Sequence, residues 1–271
     1  MPSKPLRLIL IGDVVGRYGR RFVRAVLPLV KEKFQPDVVI ANGENSAGGL
    51  GVIRRSADEL FEAGVNILTG GNHIWDKKEA LDLLKTEKRV LKPLNFHVST
   101  PGNGSMAYLT AAGPTVVVVS LQGRVFMEPV VDNPFVAIDE FLKKNSHPVV
   151  LVDFHAEATA EKQAMGFFLD GRVSAILGTH THVPTADARV LEKGTAYQTD
   201  VGMTGALDSV IGMTREPIIS KFYSGMHQKF EVAQGSQVLD MTVVDIDPKS
   251  GRSVHIEAHR YFEATYAQQL A

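Results

Sequence analysis

Five short apolar segments, each followed within a few residues by an acidic, amide or imidazole side chain, are the feature that most constrains this sequence. They comprise residues 6–11, 38–41, 65–68, 149–153 and 173–177. Continuous apolar runs of this length are typical of β-strands that are buried on both faces. Between the first two, Phe22, Val26 and Val30 recur at helical spacing, and Pro36 is expected to end that helix. Strands that alternate with helices predict an α/β fold with a parallel sheet and right-handed crossovers.

The middle and the end of the chain follow other patterns. Residues 104–109 and 115–121 predict an antiparallel hairpin. An irregular segment covers about residues 122–146, with one helix that runs through Phe141. Beyond Thr195 the chain is predicted to be β-rich. Because no repeat or linker interrupts the sequence, we expect a single domain over residues 1–271.

The composition excludes several classes of protein. Hydrophobic residues make up 44% and charged residues 22% of the chain, which is typical of a folded globular protein. The formal net charge of -1 argues against binding an extended nucleic acid, which usually needs a basic excess. There are no cysteines, so disulfides, thiolate metal sites and cysteine nucleophiles are excluded. The apolar run that ends at Asp13 is too short for a signal peptide or a membrane span, so we expect a cytoplasmic protein that does not bind membranes.

Metal-binding side chains follow all five predicted strands. In an open α/β sheet, groups at the carboxyl ends of the strands meet at one edge, where ligands bind. Carboxylates, amides and imidazoles in this number are too many for one metal ion, but they suit two divalent ions that share a bridging carboxylate and a bridging water. The candidates are Asp13; Glu44 and Asn45; Asn72 and His73; His155; and His180 and His182.

Each of these residues also has a structural interpretation when it is taken alone. Asp13 could cap the following helix, and the asparagines lie beside glycines, where turns are common. His155 could be a hydrogen-bonded interior histidine. The pair His180 and His182 is harder to explain in this way, because alternate residues of an extended chain project from one side. The coincidence of such groups after nearly every predicted parallel strand favours a functional site.

The order of these motifs resembles that of the calcineurin-like metallophosphoesterases. Proteins of that superfamily carry an Asp after the first strand, an acid after the second, Gly-Asn-His after the third, a later His, and Gly-His-x-His. Two departures from this pattern are Val15 where a His is usual and Glu44 where an Asp is usual. Both departures, together with residues 41–46, 72–76 and 199–205, are similar to the YmdB branch, and the resemblance covers essentially the whole chain. The matching motifs are Gly12-Asp13, Gly43-Glu44-Asn45, Gly71-Asn72-His73, His155 and residues 178–182.

The resemblance implies a four-layer αββα sandwich, in which two mixed sheets face each other and helices flank them. It implies that Asp13, Asn45 and His182 hold one metal ion and that Asn72, His155 and His180 hold the other. Glu44 would bridge the two ions, which would be divalent or trivalent transition metals, iron or manganese. Ligation by nitrogen and oxygen without sulfur agrees with such metals. His73 would be the general acid that protonates the leaving oxygen, a role worth roughly 10²–10⁴ in rate.

The resulting prediction is a metal-dependent phosphodiesterase that acts on 2′,3′-cyclic nucleotides, with 3′,5′-cyclic AMP as a further substrate, by attack of a metal-bridging hydroxide. Its partner would be a small-molecule cyclic nucleotide, and a homo-oligomer is left open. The alternatives are a phosphomonoesterase or nuclease with the same dimetal core, or a nucleotide-binding regulatory protein with incidental hydrolysis. His73 favours the enzyme, because a binder needs no leaving-group acid. Elsewhere, Trp75 is expected to pack in the interior, with stacking on a base as the alternative. The turn after Asp13 is expected to be a solvated first helical turn, with contact to a phosphate as the alternative; its basic residues are Arg17, Arg20 and Arg21.

Overall fold

The computed structural model describes residues 4–271, which form thirteen strands and seven helices. The strands are β1 (Leu6–Ile11), β2 (Asp13–Val14), β3 (Val38–Asn42), β4 (Ile67–Thr69), β5 (Ser105–Leu109), β6 (Thr115–Gln122), β7 (Val149–His155), β8 (Ala175–Thr179), β9 (Arg189–Val190), β10 (Ala196–Gln198), β11 (Met203–Ala206), β12 (Gln237–Ile246) and β13 (Ser253–Phe262). The helices are α1 (Gly16–Phe34), α2 (Arg54–Ala63), α3 (Ala80–Thr86), α4 (Pro134–Lys144), α5 (Thr159–Leu169), α6 (Arg215–Ser224) and α7 (Tyr266–Leu270).

The first sheet joins the beginning of the chain to its end. β1, β3 and β4 pair in parallel, as the alternation of strands and helices predicts. On its other side β1 runs antiparallel to the long strand β12, which also pairs with β11 and β13. β2 extends this sheet by pairing with β11. The sheet is therefore mixed, and its parallel part contains the first three predicted strands.

The second sheet contains the middle of the chain, in the order β5-β6-β7-β8-β10-β9. β5 and β6 form the predicted antiparallel hairpin. β6, β7, β8 and β10 pair in parallel, and β9 closes the edge in the antiparallel direction. The last two predicted parallel strands, β7 and β8, are neighbours in this sheet.

Alternate side chains of the two sheets pack into separate cores. Leu8 of the first sheet and Leu151 of the second lie in the core between the sheets. Ile9 lies on the opposite face of β1, where it packs in one cluster with Val26 of α1. Met165 of α5 belongs to a third cluster, on the outer face of the second sheet. The layers are thus helices, sheet, sheet and helices, which confirms the four-layer αββα sandwich.

One expectation drawn from the strand pattern alone is wrong. The five apolar segments were expected to end at one edge of a single sheet, but β1, β3 and β4 belong to one sheet and β7 and β8 to the other. Apolar periodicity cannot assign a strand to a sheet here, because both sheets are covered on both faces and their strands look alike in sequence. The candidate residues instead meet between the ends of two facing sheets.

Strands β10, β11, β12 and β13 confirm the predicted β-rich part beyond Thr195, although the pattern did not locate β10 and β11 individually. It also missed the short elements β2, β9, α3, α6 and α7. Helix α6 lies in the part predicted to be β-rich, and Ile218 is the one residue of this helix that is buried, so no apolar periodicity marks it. Helix α1 ends at Phe34, two residues before Pro36. No helix within residues 4–271 has the length and hydrophobicity needed to cross a membrane. The assignment of residues 1–271 to a single domain stays a prediction.

Candidate active site

The Nε2 atom of His155 is the point at which three other predicted site residues meet. His155 is the last residue of β7 and is fully buried. Its Nε2 lies 2.9 Å from Oε1 of Glu44, 3.0 Å from Oδ1 of Asn72 and 3.0 Å from Nδ1 of His180. An imidazole nitrogen carries at most one proton, which cannot satisfy three acceptors at once. We call Glu44, Asn72, His155 and His180 the first donor group.

The opposite nitrogen of His155 is held by a chain of buried hydrogen bonds. Its Nδ1 lies 2.9 Å from Oγ1 of Thr179, and that hydroxyl donates to Oδ1 of Asp153 at 2.7 Å. The amide of Asn42 donates to Oδ2 of Asp153 at 3.2 Å. Because the Thr179 hydroxyl gives its proton to Asp153, it accepts the Nδ1–H of His155. Nε2 is then the nitrogen of His155 that is available as a ligand.

Burial and neighbouring charges act strongly on the acids and imidazoles of this region. Burial disfavours the imidazolium form of His155, but the charges of Glu44, Asp13 and Asp153 outweigh it and raise the pKa of His155 to about 9. Burial and the charge of His155 lower the pKa of His180 to about 3. Burial raises the pKa of Asp153 to about 6. The first donor group thus attracts positive charge, which a proton or a bound cation can supply.

Asp13, Asn45 and His182 form a second donor group beside the first. Nδ2 of Asn45 lies 3.4 Å from Oδ1 of Asp13 and 3.2 Å from Nε2 of His182. Oδ1 of Asp13 is 3.7 Å from Nε2 of His182. The Nδ1 atom of His182 lies 2.8 Å from the carbonyl oxygen of Ile211, so Nδ1 donates and Nε2 faces the group.

Asp13 connects the two donor groups. Its side chain is fully buried, and its Oδ2 accepts the backbone N–H of His180 at 3.1 Å. Its Oδ1 lies 3.9 Å from Nδ1 of His155. Although burial favours the neutral acid, the charges of His182 and His155 hold the pKa of Asp13 well below its usual range. Asp13 therefore carries a negative charge between the two groups.

His73 lies next to the first donor group and is not one of its members. The side chain is 33% exposed, whereas Glu44 and His155 are fully buried. The backbone N–H of His73 donates to Oε2 of Glu44 at 3.2 Å, and its Nδ1 lies 2.8 Å from Oδ2 of Asp76. A carboxylate on Nδ1 fixes the imidazole ring and leaves Nε2 as the nitrogen that can exchange a proton with a bound molecule.

A close approach of two chain segments explains one glycine of the third motif. After β4 the chain passes through Gly70 and Gly71 to reach Asn72. A Cβ atom at Gly71 would lie 2.1 Å from the His155 ring, so no other residue fits without displacing that ring. Glycine at this position lets Asn72 reach Nε2 of His155.

The polar atoms of the site fit metal ions. Two buried side-chain oxygens of the site receive no hydrogen bond from residues 4–271: Oδ1 of Asn45, and Oε1 of Glu44 despite its 2.9 Å distance from Nε2 of His155. Glu44, His155 and His180 each offer a ligand atom, and these atoms all lie within 4.8 Å of one another. Metal ions with bonds of roughly 2.0–2.2 Å hold neighbouring ligand atoms roughly 3 Å apart or slightly more. The first donor group has such separations, and in the second Oδ1 of Asp13 lies 3.7 Å from Nε2 of His182. The nitrogen and oxygen ligands of both groups suit transition metals.

The prediction for Arg20 is wrong. Arg20 is buried instead of solvated, and its Nε donates to Oε2 of Glu59 at 2.7 Å. Its Nη1 donates to the carbonyl oxygen of Ser46, the residue after Asn45. An arginine in a first helical turn gives no sign in sequence that it will fold inward. Trp75 packs edge-on against Phe96, with ring centroids 6.0 Å apart, and lies against the core cluster of the first sheet. It is half-buried, so the predicted interior position is met only in part.

The sequence also did not identify the residues that support the ligands from outside. Asn42, Asp153 and Thr179 surround Nδ1 of His155, and Glu157 has its Oε2 atom 3.1 Å from Nε2 of His180. Asp153 carried a usable signal, because an acid inside an otherwise apolar strand needs a buried partner. Glu157 carried none, since it is half-exposed and follows a strand end, as many solvated acids do.

The chain matches known proteins over nearly its whole length. A family model described as YmdB-like protein matches residues 9–259. The 2′,3′-cyclic-nucleotide 2′-phosphodiesterase of Bacillus subtilis (strain 168) is 45% identical over 266 residues, which cover 95% of this chain and 100% of that protein. Among solved structures, a hypothetical protein from Thermus thermophilus is 45% identical, with a TM-score of 0.89 over 95% of this chain and 100% of the other. A novel phosphatase from Mycoplasma pneumoniae is 36% identical, with a TM-score of 0.92 over 100% of both chains.

The fold is that of a metallophosphoesterase-type phosphatase. Within this class the chain belongs to the YmdB-like family. Both the predicted family and the predicted enzyme class, a phosphodiesterase, are confirmed by these relationships.

Proposed function

We propose that the protein is a dinuclear-metal phosphodiesterase that hydrolyses 2′,3′-cyclic nucleotides. The observation that carries this proposal is the convergence of Glu44, Asn72 and His180 on one nitrogen of His155, next to a second set of ligands. The B. subtilis relative is named for the hydrolysis of 2′,3′-cyclic nucleotides, which supports the same substrate class here. We include 3′,5′-cyclic AMP as a further substrate.

The proposed assignment gives each metal ion its own set of ligands. Asn72, His155 and His180 would hold one ion, Asp13, Asn45 and His182 would hold the other, and Glu44 would be shared between them. The outer nitrogen of each histidine is supported by an oxygen atom: Thr179 for His155, Glu157 for His180 and Ile211 for His182. This leaves one nitrogen of each ring as a ligand. We propose iron first and manganese second, as the resemblance to the family implies; ligation by nitrogen and oxygen without sulfur suits either metal.

Two ions bound at this site would supply an activated water for attack on phosphorus and positive charge for the phosphate oxygens. The chain itself must then deliver a proton to the leaving ribose oxygen, which departs poorly as an alkoxide. We assign this step to Nε2 of His73, whose ring is partly exposed and is fixed through Nδ1 by Asp76. Glu44 fixes the position of His73 relative to the ligands, because Oε2 of Glu44 accepts the backbone N–H of His73.

The cellular setting that we propose is the cytoplasm, where residues 1–271 act as one domain on a small-molecule cyclic nucleotide. The formal net charge of -1 supports a single nucleotide over a long nucleic acid, whose backbone attracts basic proteins.

A substrate panel tests the proposed function. Chelator-treated protein would be reloaded with Mn²⁺, or with Fe²⁺ under reducing conditions, and offered 2′,3′-cyclic AMP, 3′,5′-cyclic AMP, p-nitrophenyl phosphate and a short RNA. We expect the 2′,3′-cyclic nucleotide to be the best substrate. Faster hydrolysis of the monoester would indicate a phosphomonoesterase, and cleavage of the RNA would indicate a nuclease. Tight nucleotide binding without turnover would support the regulatory alternative.

A further inference from the structure

A buried ion pair lies beside the turn that carries His180 and His182. The side chains of Lys162, in α5, and Asp200 are 1% and 0% exposed, and Nζ donates to Oδ2 at 2.6 Å. Burying two charges costs free energy that their mutual attraction does not always recover. The pair is therefore a weak source of stability, and its position requires another explanation.

Both members of the pair hydrogen-bond to the backbone of the turn. Nζ of Lys162 also donates to the carbonyl oxygen of Thr179 at 2.7 Å. Oδ2 of Asp200 also accepts the backbone N–H of Thr181 at 3.1 Å. Thr179 precedes His180, and Thr181 separates the two histidines in sequence. The pair thus holds the backbone on both sides of His180.

The turn needs this support because its backbone conformation is unfavourable. His180 has a φ of 105° and His182 a φ of 64°, in the left-handed region that favours glycine. Such conformations persist where the surrounding structure imposes them. In this conformation Nδ1 of His180 reaches the first donor group and Nε2 of His182 reaches the second.

The segment that carries Asp200 is itself firmly attached to the chain before the turn. Oδ1 of Asp200 accepts the backbone N–H of Gly202 at 2.9 Å, and the N–H of Val201 donates to the carbonyl oxygen of Gly178 at 2.8 Å. A Cβ atom at Gly178 would lie 1.8 Å from the carbonyl oxygen of Thr199, so the two segments touch. Asp200 is therefore a fixed anchor for the turn.

We infer that Lys162 and Asp200 are positioning residues that hold the turn of residues 180–182, in which His180 and His182 have left-handed backbones, and so direct one imidazole into each donor group. The inference rests on the proposed function, because its consequence is the binding of metal at both groups. Since one turn supplies a ligand to each group, loss of the ion pair should weaken the binding of both metal ions. Loss of a single ligand should weaken mainly the binding of the one ion that this ligand contacts.

The test replaces the pair with uncharged side chains and measures Mn²⁺ binding to chelator-treated protein by calorimetry. Lys162→Met with Asp200→Leu removes both charges, so neither is left buried without a partner. We expect the affinity for Mn²⁺ to fall roughly 10–100-fold, the usual effect of losing the outer support of a ligand. The Tm of the metal-free protein should also fall, because the N–H groups of Thr181 and Gly202 lose their acceptor, so Mn²⁺ affinity is compared at a temperature where both proteins are folded. Lys162→Gln with Asp200→Asn can rebuild the hydrogen bonds to the turn and should recover most of the affinity.

The control is a different ion pair, which joins β1 to β12 near the end of β1 that is farther from Asp13. Arg7 and Asp245 form two hydrogen bonds of 2.7 Å, and Arg7→Met with Asp245→Leu should leave Mn²⁺ affinity unchanged. The inference is overturned if the folded Lys162 and Asp200 variant binds Mn²⁺ within about threefold of the wild type. Equal losses in the control would also overturn it. Wild-type protein that binds no Mn²⁺ would instead refute the metal site, and with it the proposed function.

A measurement on the unchanged protein keeps the test independent of how the variants fold. The Thr181 N–H donates to a buried carboxylate, so its hydrogen exchange in metal-free protein should be as slow as that of the N–H groups of β8. Exchange at the rate of an open loop would show that Asp200 does not hold the turn, and would overturn the inference.

Discussion

The two donor groups differ in how far the protein alone satisfies their polar atoms. In the first group, ligand atoms from three residues crowd Nε2 of His155, and Oε1 of Glu44 receives no hydrogen bond. In the second group, the amide nitrogen of Asn45 lies within hydrogen-bond distance of Asp13 and His182. Oδ1 of Asn45 in the second group also receives no hydrogen bond within residues 4–271, so each group offers an unpaired oxygen to a cation. In the second group, however, the cation must compete with the hydrogen bonds of the Asn45 amide.

The residues that hold the ligands in place are also more rigidly arranged in the first group than in the second. His155 ends a central strand and is held by the side chains of Thr179 and Asp153. His182 lies in a turn and is held by a backbone carbonyl of another loop. The Asn45 amide must also rotate by half a turn to present Oδ1, its unpartnered oxygen, to a metal. We therefore expect the first group to bind metal more tightly than the second.

The largest effect is expected from Glu44→Gln, because Glu44 supplies the charge that offsets both bound cations. The change keeps the volume of the side chain, and we expect loss of at least one metal ion and of most activity. Metal analysis and turnover of 2′,3′-cyclic AMP check this, with the exposed acid Glu62→Gln as the control. A variant that keeps both ions and normal turnover would make Glu44 an ordinary buried acid.

The second effect concerns His73, which neighbours the first group without belonging to it. His73→Ala should leave the metal content nearly unchanged and lower turnover of ribose esters by roughly 10²–10⁴. The loss on p-nitrophenyl esters should be much smaller, because p-nitrophenolate leaves without a proton. His147→Ala, at an exposed histidine, is the control. Equal losses on both kinds of ester would show that His73 positions the phosphate and does not donate a proton.

A smaller effect, confined to the second group, is expected from Arg20→Met. Methionine keeps part of the packing of the arginine stem but cannot donate to Ser46, next to Asn45. We expect the weaker Mn²⁺ site to lose roughly 10-fold in affinity. The exposed neighbour Arg21→Met should change nothing. If the tighter site weakened instead, the assignment of Asn45 to the second group would be wrong.

The smallest effect is expected from Glu157→Gln, which acts on the first group. Glu157 is 48% exposed, so water can replace much of its interaction with Nε2 of His180. We expect the tighter Mn²⁺ site to weaken by less than about 10-fold while the weaker site stays the same. Calorimetry of this variant beside Glu192→Gln, at an exposed acid, measures the difference. A change in the weaker site alone would contradict the grouping.

The sequence predicted where the strands end better than it predicted which strands pair with each other in a sheet. The run before Gly12 and the run that ends near His155 are visible because long apolar segments stop at polar residues. That these strands lie in different sheets follows from pairings with distant segments such as β12, which no local pattern encodes. The resemblance to a family, and not the periodicity, supplied the two-sheet fold.

The candidate ligands were predictable for a similar reason. The residues that hold the ligand segments in place were not predictable. Each candidate ligand follows a predicted strand, so its position in the sequence points to the site. Arg20 and Lys162 belong to helices, where a charged residue usually faces solvent, and their burial depends on partners elsewhere in the chain. Periodicity within a single helix does not identify such partners.

The most direct test of the two donor groups is a calorimetric titration of chelator-treated wild-type protein with Mn²⁺. We predict two binding events per chain with different affinities. His155→Gln should abolish the tighter event, and His182→Gln should abolish the weaker one. A single event, or the loss of the same event in both variants, would contradict the division into two donor groups. Metal-free protein that still hydrolyses bis(p-nitrophenyl) phosphate in excess chelator would contradict the metal site itself.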